Sequence, residues 1–289
     1  GTGNAFIGDF SHLGLSGISF TSAEGEDIPP LLFVAFQMMF AVITPALITG
    51  AFAERFKFST YLIFLVLWST LVYSPITHWV WASNTLANGT EVNGWLWDLG
   101  ALDFAGGTVI HINAGMAAVV AALLVGKRRN PGLQSNNVPY VVLGAAILWL
   151  GWFGFNAGSA VAANDSAANA FLVTSLAAST AALTWGVISH LKTGKMGAIG
   201  VATGAVAGLV AITPAAGAVN AMGALAIGFG AGLICFYAVE LLHKTNMDDA
   251  LDVFAVHGIG GIWGAIATGI FALEAISGTK GLIEGNVEQ

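Results

Sequence analysis

Long apolar runs alternate with short polar connections along the whole chain. Eight runs of ~17–25 residues fit the length needed to cross a ~30 Å hydrocarbon core. They fall at 31–53, 58–82, 105–126, 139–163, 168–191, 197–213, 222–243 and 253–275. The pattern predicts an all-α polytopic membrane protein, a bundle of eight transmembrane helices. Composition agrees: 56% of the 289 residues are hydrophobic and 9% are charged, far below the quarter expected of a soluble domain.

The basic residues give the expected orientation. Eight of the nine Lys and Arg sit in four alternating connections: Arg55 and Lys57; Lys127, Arg128 and Arg129; Lys192 and Lys195; and Lys244. Short cytoplasmic loops carry this excess. Both termini of the chain are therefore expected outside the cytoplasm of a cell membrane, inner or plasma. The net charge of −7 gives no reason to expect a nucleic-acid partner. The single cysteine, Cys235, lies in an apolar run and reads as a small core residue, so neither a disulfide nor a Cys-based metal site is expected.

Two apolar runs contain a histidine in matching contexts. Asp103-Phe-Ala-Gly-Gly-Thr-Val-Ile-His111 leads into one, and Asp252-Val-Phe-Ala-Val-His257 into the other; each histidine has a glycine four residues on, Gly115 and Gly261. An intramembrane ionisable group is a functional candidate by default. Two imidazolium ions side by side in an apolar pore would repel, so a neutral pair sharing one N–H···N bond is expected. That surface suits a small species that both donates and accepts hydrogen bonds. The plainer alternative is two unrelated histidines, each satisfied by a backbone carbonyl.

Phe36 and Phe40 share a helix face, as do Trp152, Phe155 and Ser159; such stripes are more often packing than site. Pro45 is expected to kink the first span. The face Phe104, Thr108, His111, Gly115, Ala118 and Ala122 is small enough for close helix approach, and Gly200, Gly204 and Gly208 form a second small ridge. His78, beside Trp79 and Trp81, and His190 read as interfacial. Asn88-Gly-Thr90 has the form of a glycosylation site. The loop Gly126–Pro139, with Pro131 and Gly132, divides a partial first repeat (1–130) from a second repeat (131–275), with 276–289 an outer loop; the two are expected to be inverted. The potassium-filter sequence is missing, and Asn113-Ala-Gly and Asn156-Ala-Gly stand where a water channel would show Asn-Pro-Ala. No nucleotide-binding loop occurs.

The run from Ala101 to Gly115 resembles the signature of the ammonium transporter/Rhesus family, in its ammonium transporter branch. Ala35-Phe-Gln37 with Phe40, Trp149 to Ser159, Thr213-Pro214 and Asp252 to Gly258 support the resemblance over the whole chain, in the right order. It implies a transporter rather than an enzyme, needing no cofactor or metal, and assembled as a homotrimer with one pore per subunit. Trp81, Phe40 and Ser159 match the outer ammonium-recruitment site, with Asp103 in electrostatic or structural support. Phe40 and Phe155 match a stacked phenyl gate. His111 and His257 match the twin histidines, and the pore lining extends to Trp152 and Phe36. Ammonium and methylammonium are the implied ligands, membrane lipids the surroundings, and a PII-type signal protein a candidate partner at the cytoplasmic face. An ammonium sensor with the same fold is the alternative. Against the family's eleven-helix plan, the first two helices and the last are missing, so the chain is expected to begin and end in outer loops. Ala82-Ser83 follows Trp81 where many relatives have glycines.

Overall fold

The computed structural model describes residues 3–22, 27–85, 89, 91–130 and 135–288. Among these residues eight principal helices are present: α1 Pro30–Phe52, α2 Phe58–Trp81, α3 Gly107–Val125, α4 Val138–Ala160, α5 Asp165–Thr193, α6 Ala198–Ile212, α7 Ala221–Leu242 and α8 Phe254–Phe271. Seven are long and apolar enough to cross a membrane; α6 has 15 residues and falls short. Asn88 and Thr90, which give that stretch the form of a glycosylation site, and the Pro131-Gly132 pair lie outside the described residues.

Local chemistry fixes the helix ends. Pro30 opens α1, where a missing N–H costs nothing, and α1 continues through Pro45. Asn137, Asn164 and Asn220 cap α4, α5 and α7, each side chain accepting the backbone N–H three residues on, at 3.1, 3.0 and 3.0 Å. These caps satisfy donors the helix leaves unpaired. Gly194 closes α5 with φ 75°, a left-handed conformation that favours glycine.

Two packed groups follow from residue size. In the first, α1, α2 and α3 enclose Phe40, Ile48, Trp68, Val109 and Ala114. In the second, α5, α6 and α7 meet over small residues, because lipid supplies no hydrophobic drive and close backbone approach must. A Cβ on Gly204 would lie 2.6 Å from Trp185 Cβ, and one on Gly208 would lie 2.5 Å from the Ala177 carbonyl oxygen. The predicted ridge is therefore a helix seam. Conversely, Leu62, Ile63, Val66 and Leu67 on α2 and Val142, Leu143, Ile147 and Leu150 on α4 are exposed, as side chains facing lipid or another helix would be.

The end that carries the basic connections is clamped. Arg128 holds the Asp248 carboxylate at 2.8 Å, and its backbone N–H donates to the same group at 2.7 Å. Arg55 approaches that carboxylate at 3.5 Å and donates to the backbone carbonyls of Ala51, Gly126 and Asp248. The hydrogen bond from Arg128 holds the Asp248 carboxyl below the usual carboxylate range. One acidic side chain thus ties the α1–α2, α3–α4 and α7–α8 connections together.

At the opposite end, β1 Ser83–Thr85 and β2 Glu91–Asn93 pair antiparallel, with Asn84 opposite Val92. The N-terminal segment lies along this end. His78 Nε2 meets the Asn4 carbonyl at 2.6 Å and Trp79 Nε1 donates to the Phe6 carbonyl at 2.7 Å. A short helical turn, Trp95–Asp98, follows β2 and leads to the Asp103 loop.

Candidate functional site

Both histidine helices open irregularly. Gly107–Ile112 at the start of α3 and Phe254–Ile259 at the start of α8 are π-helical, and each contains its histidine. Wider turns of this kind occur at functional sites because they re-aim side chains. They also spoil any face counted by three and four from sequence. Phe104 precedes α3 and packs against Gly217 rather than joining the expected stripe, and Thr108 faces a separate peripheral groove with Ile266 and Leu282.

An aspartate anchors each irregular turn. Asp103 Oδ1 accepts the backbone N–H groups of Gly106 and Gly107 at 2.8 and 2.6 Å, and Oδ2 those of Thr108 and Val109 at 2.8 and 3.1 Å. The same residue's carbonyl accepts Trp81 Nε1–H at 2.7 Å. On α8 Asp252 directly precedes the helix, as the sequence placed it, but its side chain pairs with His243 at 2.8 Å. Asp249 anchors the turn, its Oδ2 accepting the Phe254 N–H at 2.7 Å. Asp249 precedes His257 by eight residues, as Asp103 precedes His111; that spacing was the readable signal.

Aromatic side chains then form a continuous column. Phe40 meets Trp81, Phe36 and Phe155 at ring-centroid distances of 5.5, 4.8 and 4.8 Å, edge to face. The Phe40–Phe155 planes cross at 68°, so the two rings named as the gate meet edge to face, an arrangement ring quadrupoles favour. Below it, His111 lies nearly parallel to Phe155, Trp152 and His257, at 5.7, 5.3 and 5.3 Å. The two histidines face each other through Nδ1 atoms 3.3 Å apart. His111 is fully buried and His257 is 9% exposed. Among the described residues His111 Nε2 has no hydrogen-bond partner. Trp152 is fixed by its own Nε1–H donating to Thr213 Oγ1 at 3.0 Å.

Above the column is a cavity of ≈540 Å³, lined by Phe36, Phe40, Trp81 and Ser159 together with Gln37, Trp97, Ser166, Ser277 and the Asp103 loop. Ser159 Oγ donates to the Phe155 carbonyl at 2.8 Å. Val161 lines the cavity with φ 55°, a left-handed conformation costly for a β-branched residue. Gln37, Trp97, Ser166 and Ser277 were not among the sequence candidates. Gln37 lies on α1 beside Phe36 and Ser166 in the first turn of α5, whereas Trp97 and Ser277 come from the short helical turns Trp95–Asp98 and Glu274–Ser277, and only tertiary folding brings the four together.

The matched sequences decide the family. The Ammonium Transporter Family matches residues 1–289. The chain belongs to the ammonium transporter family. An ammonium transporter of Aquifex aeolicus is 52% identical over 286 residues, covering 98% of this chain and 65% of the relative. Ammonium transporter Amt1 of Archaeoglobus fulgidus is 46% identical, covering 98% and 68%. The crystal structure of Saccharomyces cerevisiae Mep2 superposes with a TM-score of 0.90 at 38% identity, over all of this chain and 65% of Mep2. A structure described as a sensor Amt protein gives 0.80 at 34%, over 94% and 70%. The chain thus spans about two thirds of the length of the family members it matches. It is a multi-pass membrane protein of a family of transporters, not of enzymes.

Proposed function

We propose that this ammonium transporter family chain takes up ammonium from the vestibule and passes ammonia along the aromatic column and past the paired histidines. The observation that carries the reading is the column ending in the 3.3 Å Nδ1···Nδ1 pair, with His111 Nε2 unpartnered. At the vestibule the cation meets the face of Trp81 and the ring of Phe40, an electrostatically favourable position, with Ser159 close by. Beyond Phe40 and Phe155 the walls are rings, and an ion entering them would lose its hydration without a counter-charge. The ion therefore leaves one proton with vestibule water at the phenyl gate. Neutral NH3 continues past Trp152, donating to or accepting from the imidazoles.

Asp103 serves as the support of this mouth rather than a ligand, since its carboxylate is engaged by four backbone N–H groups. The chain works in the inner or plasma membrane with its basic connections inside and its termini outside. Residues 1–130 and 131–275 act as inverted repeats around the pore. The assembly is a homotrimer in lipid, and the clamped basic face is where a PII-type signal protein would dock. Methylammonium is a second substrate.

The test is flux in proteoliposomes. His111→Ala with His257→Ala should change the rate or the ammonium-over-methylammonium selectivity, while the protein still assembles. Flux and selectivity equal to the parent chain would remove the histidines from the pore. Trp81→Leu should raise the half-saturating ammonium concentration by roughly 3- to 30-fold, the range expected of a lost cation–π contact; an unchanged concentration dependence would place recruitment elsewhere. The resemblance to a sensor Amt protein favours one alternative, ligand binding that signals without conduction. Saturable ammonium binding with no flux in the intact protein would select it.

A further inference from the structure

The vestibule is far larger than the ion it is proposed to receive. Ammonium is close in size to water, whose share of the liquid is about 30 Å³, whereas the cavity measures ≈540 Å³. Cavities of that size hold small organic ligands. Its walls also exceed what a single ammonium ion can contact. Besides Trp81, Phe36 and Phe40, it is lined by Trp97, which is 46% exposed. Among the described residues no other ring packs against Trp97, and its partial exposure leaves indole surface for a ligand. Aromatic walls on several sides are how proteins recognise alkylated ammonium groups.

Charge points the same way. No Lys, Arg or His is among the described residues lining the cavity. Nine of the fourteen described acidic residues fall in the segments at the vestibule end of the helices, accompanied by one of the nine basic residues, Lys280. Such an imbalance raises the local concentration of cations and their rate of arrival.

We propose that the vestibule binds quaternary alkylammonium ions, of which tetramethylammonium is the simplest, with Trp97 as an aromatic wall additional to the recruitment aromatics. A quaternary ion has no N–H to release, so it cannot become a neutral amine, and it is too wide for the ring-lined column. It occupies the vestibule and goes no further. Competition with ammonium rests on the transport reading given above; binding itself does not.

The experiment is calorimetric titration of the detergent-purified chain with tetramethylammonium chloride, with sodium chloride as the ionic-strength control. It is paired with ammonium flux in proteoliposomes with and without the quaternary ion. Saturable binding is expected, weakened roughly 3- to 10-fold by Trp97→Ala and largely kept by Trp97→Phe, with both variants melting like the parent. In the flux arm, tetramethylammonium should raise the half-saturating ammonium concentration and leave the maximal rate unchanged. Folded protein that gives no saturable binding overturns the inference, as does binding equal in the parent and both Trp97 variants. Binding without any ammonium flux would sustain the inference and count against transport by this chain. Flux with neither binding nor competition would do the reverse.

Discussion

Replacing Asp103 by alanine should lower the stability of the protein by several kcal/mol and nearly abolish ammonium flux. The carboxylate accepts four successive N–H groups, Gly106 to Val109, and no helix turn precedes them to take its place. Each buried donor left unpaired costs ~1–3 kcal/mol, reduced wherever vestibule water reaches it. The function should suffer more than the fold. The same loop holds the Trp81 indole through the Asp103 carbonyl at 2.7 Å, and the turn it starts carries His111. Loss of the cap therefore disturbs the recruitment aromatic and one histidine at once. Asp103→Asn should fall between, since an amide oxygen can still accept but its NH2 faces backbone donors. The checks are the melting temperature in detergent and flux at saturating ammonium. A variant that melts and conducts like the parent would show that water replaces the carboxylate and that the aspartate is not a structural keystone of the mouth.

Much of this arrangement was legible because it is local. Helix number, the small seam at Gly204 and Gly208, and the family followed from apolar run length, residue size and a signature of consecutive residues. The two histidines stood out because ionisable groups in apolar runs are rare. What escaped depended on geometry that sequence counting does not carry. The π-helical turns shift the phase of the faces they precede, so Phe104 and Thr108 were placed on a stripe they do not join. At α8 the aspartate nearest the histidine, Asp252, stands at φ 56° and its carboxylate pairs with His243. The correct partner, Asp249, needed the spacing of one helix compared with the other. Trp97 and Ser277 lie in connecting segments whose positions are set only when the hairpin and the C-terminal stretch fold back over the mouth.

Symmetry of spacing also explains why two glycines and two histidines recur together. A pair of imidazoles can share a proton only if their helices come close enough for side chains of fixed length to meet. On α3 and α8 that approach is set by Gly115, where a Cβ would meet the Gly258 backbone beside His257, and by its counterpart Gly261, where a Cβ would lie 3.1 Å from His111 Cβ. Glycine here is a spacer, and its value is the absence of a Cβ.

Gly115→Ala is the strictest test of that spacing. An added Cβ would sit 2.3 Å from both the Cα and the backbone nitrogen of Gly258. The obstacle is main chain, so no rotamer change relieves it, and the two helices must part by about 1 Å to restore ordinary contact. Overpacking of this kind costs ~1–3 kcal/mol, and the movement falls next to the 3.3 Å histidine pair. Ammonium flux should therefore drop severely in protein that is still folded and membrane-inserted. Gly144→Ala supplies the control, because nothing lies within 4 Å of a Cβ there and alanine is the better helix former. Its melting temperature should match or exceed that of the parent. If Gly115→Ala instead conducts normally, the helices tolerate a wider separation than the histidine contact allows, and the shared hydrogen bond is not what conduction requires.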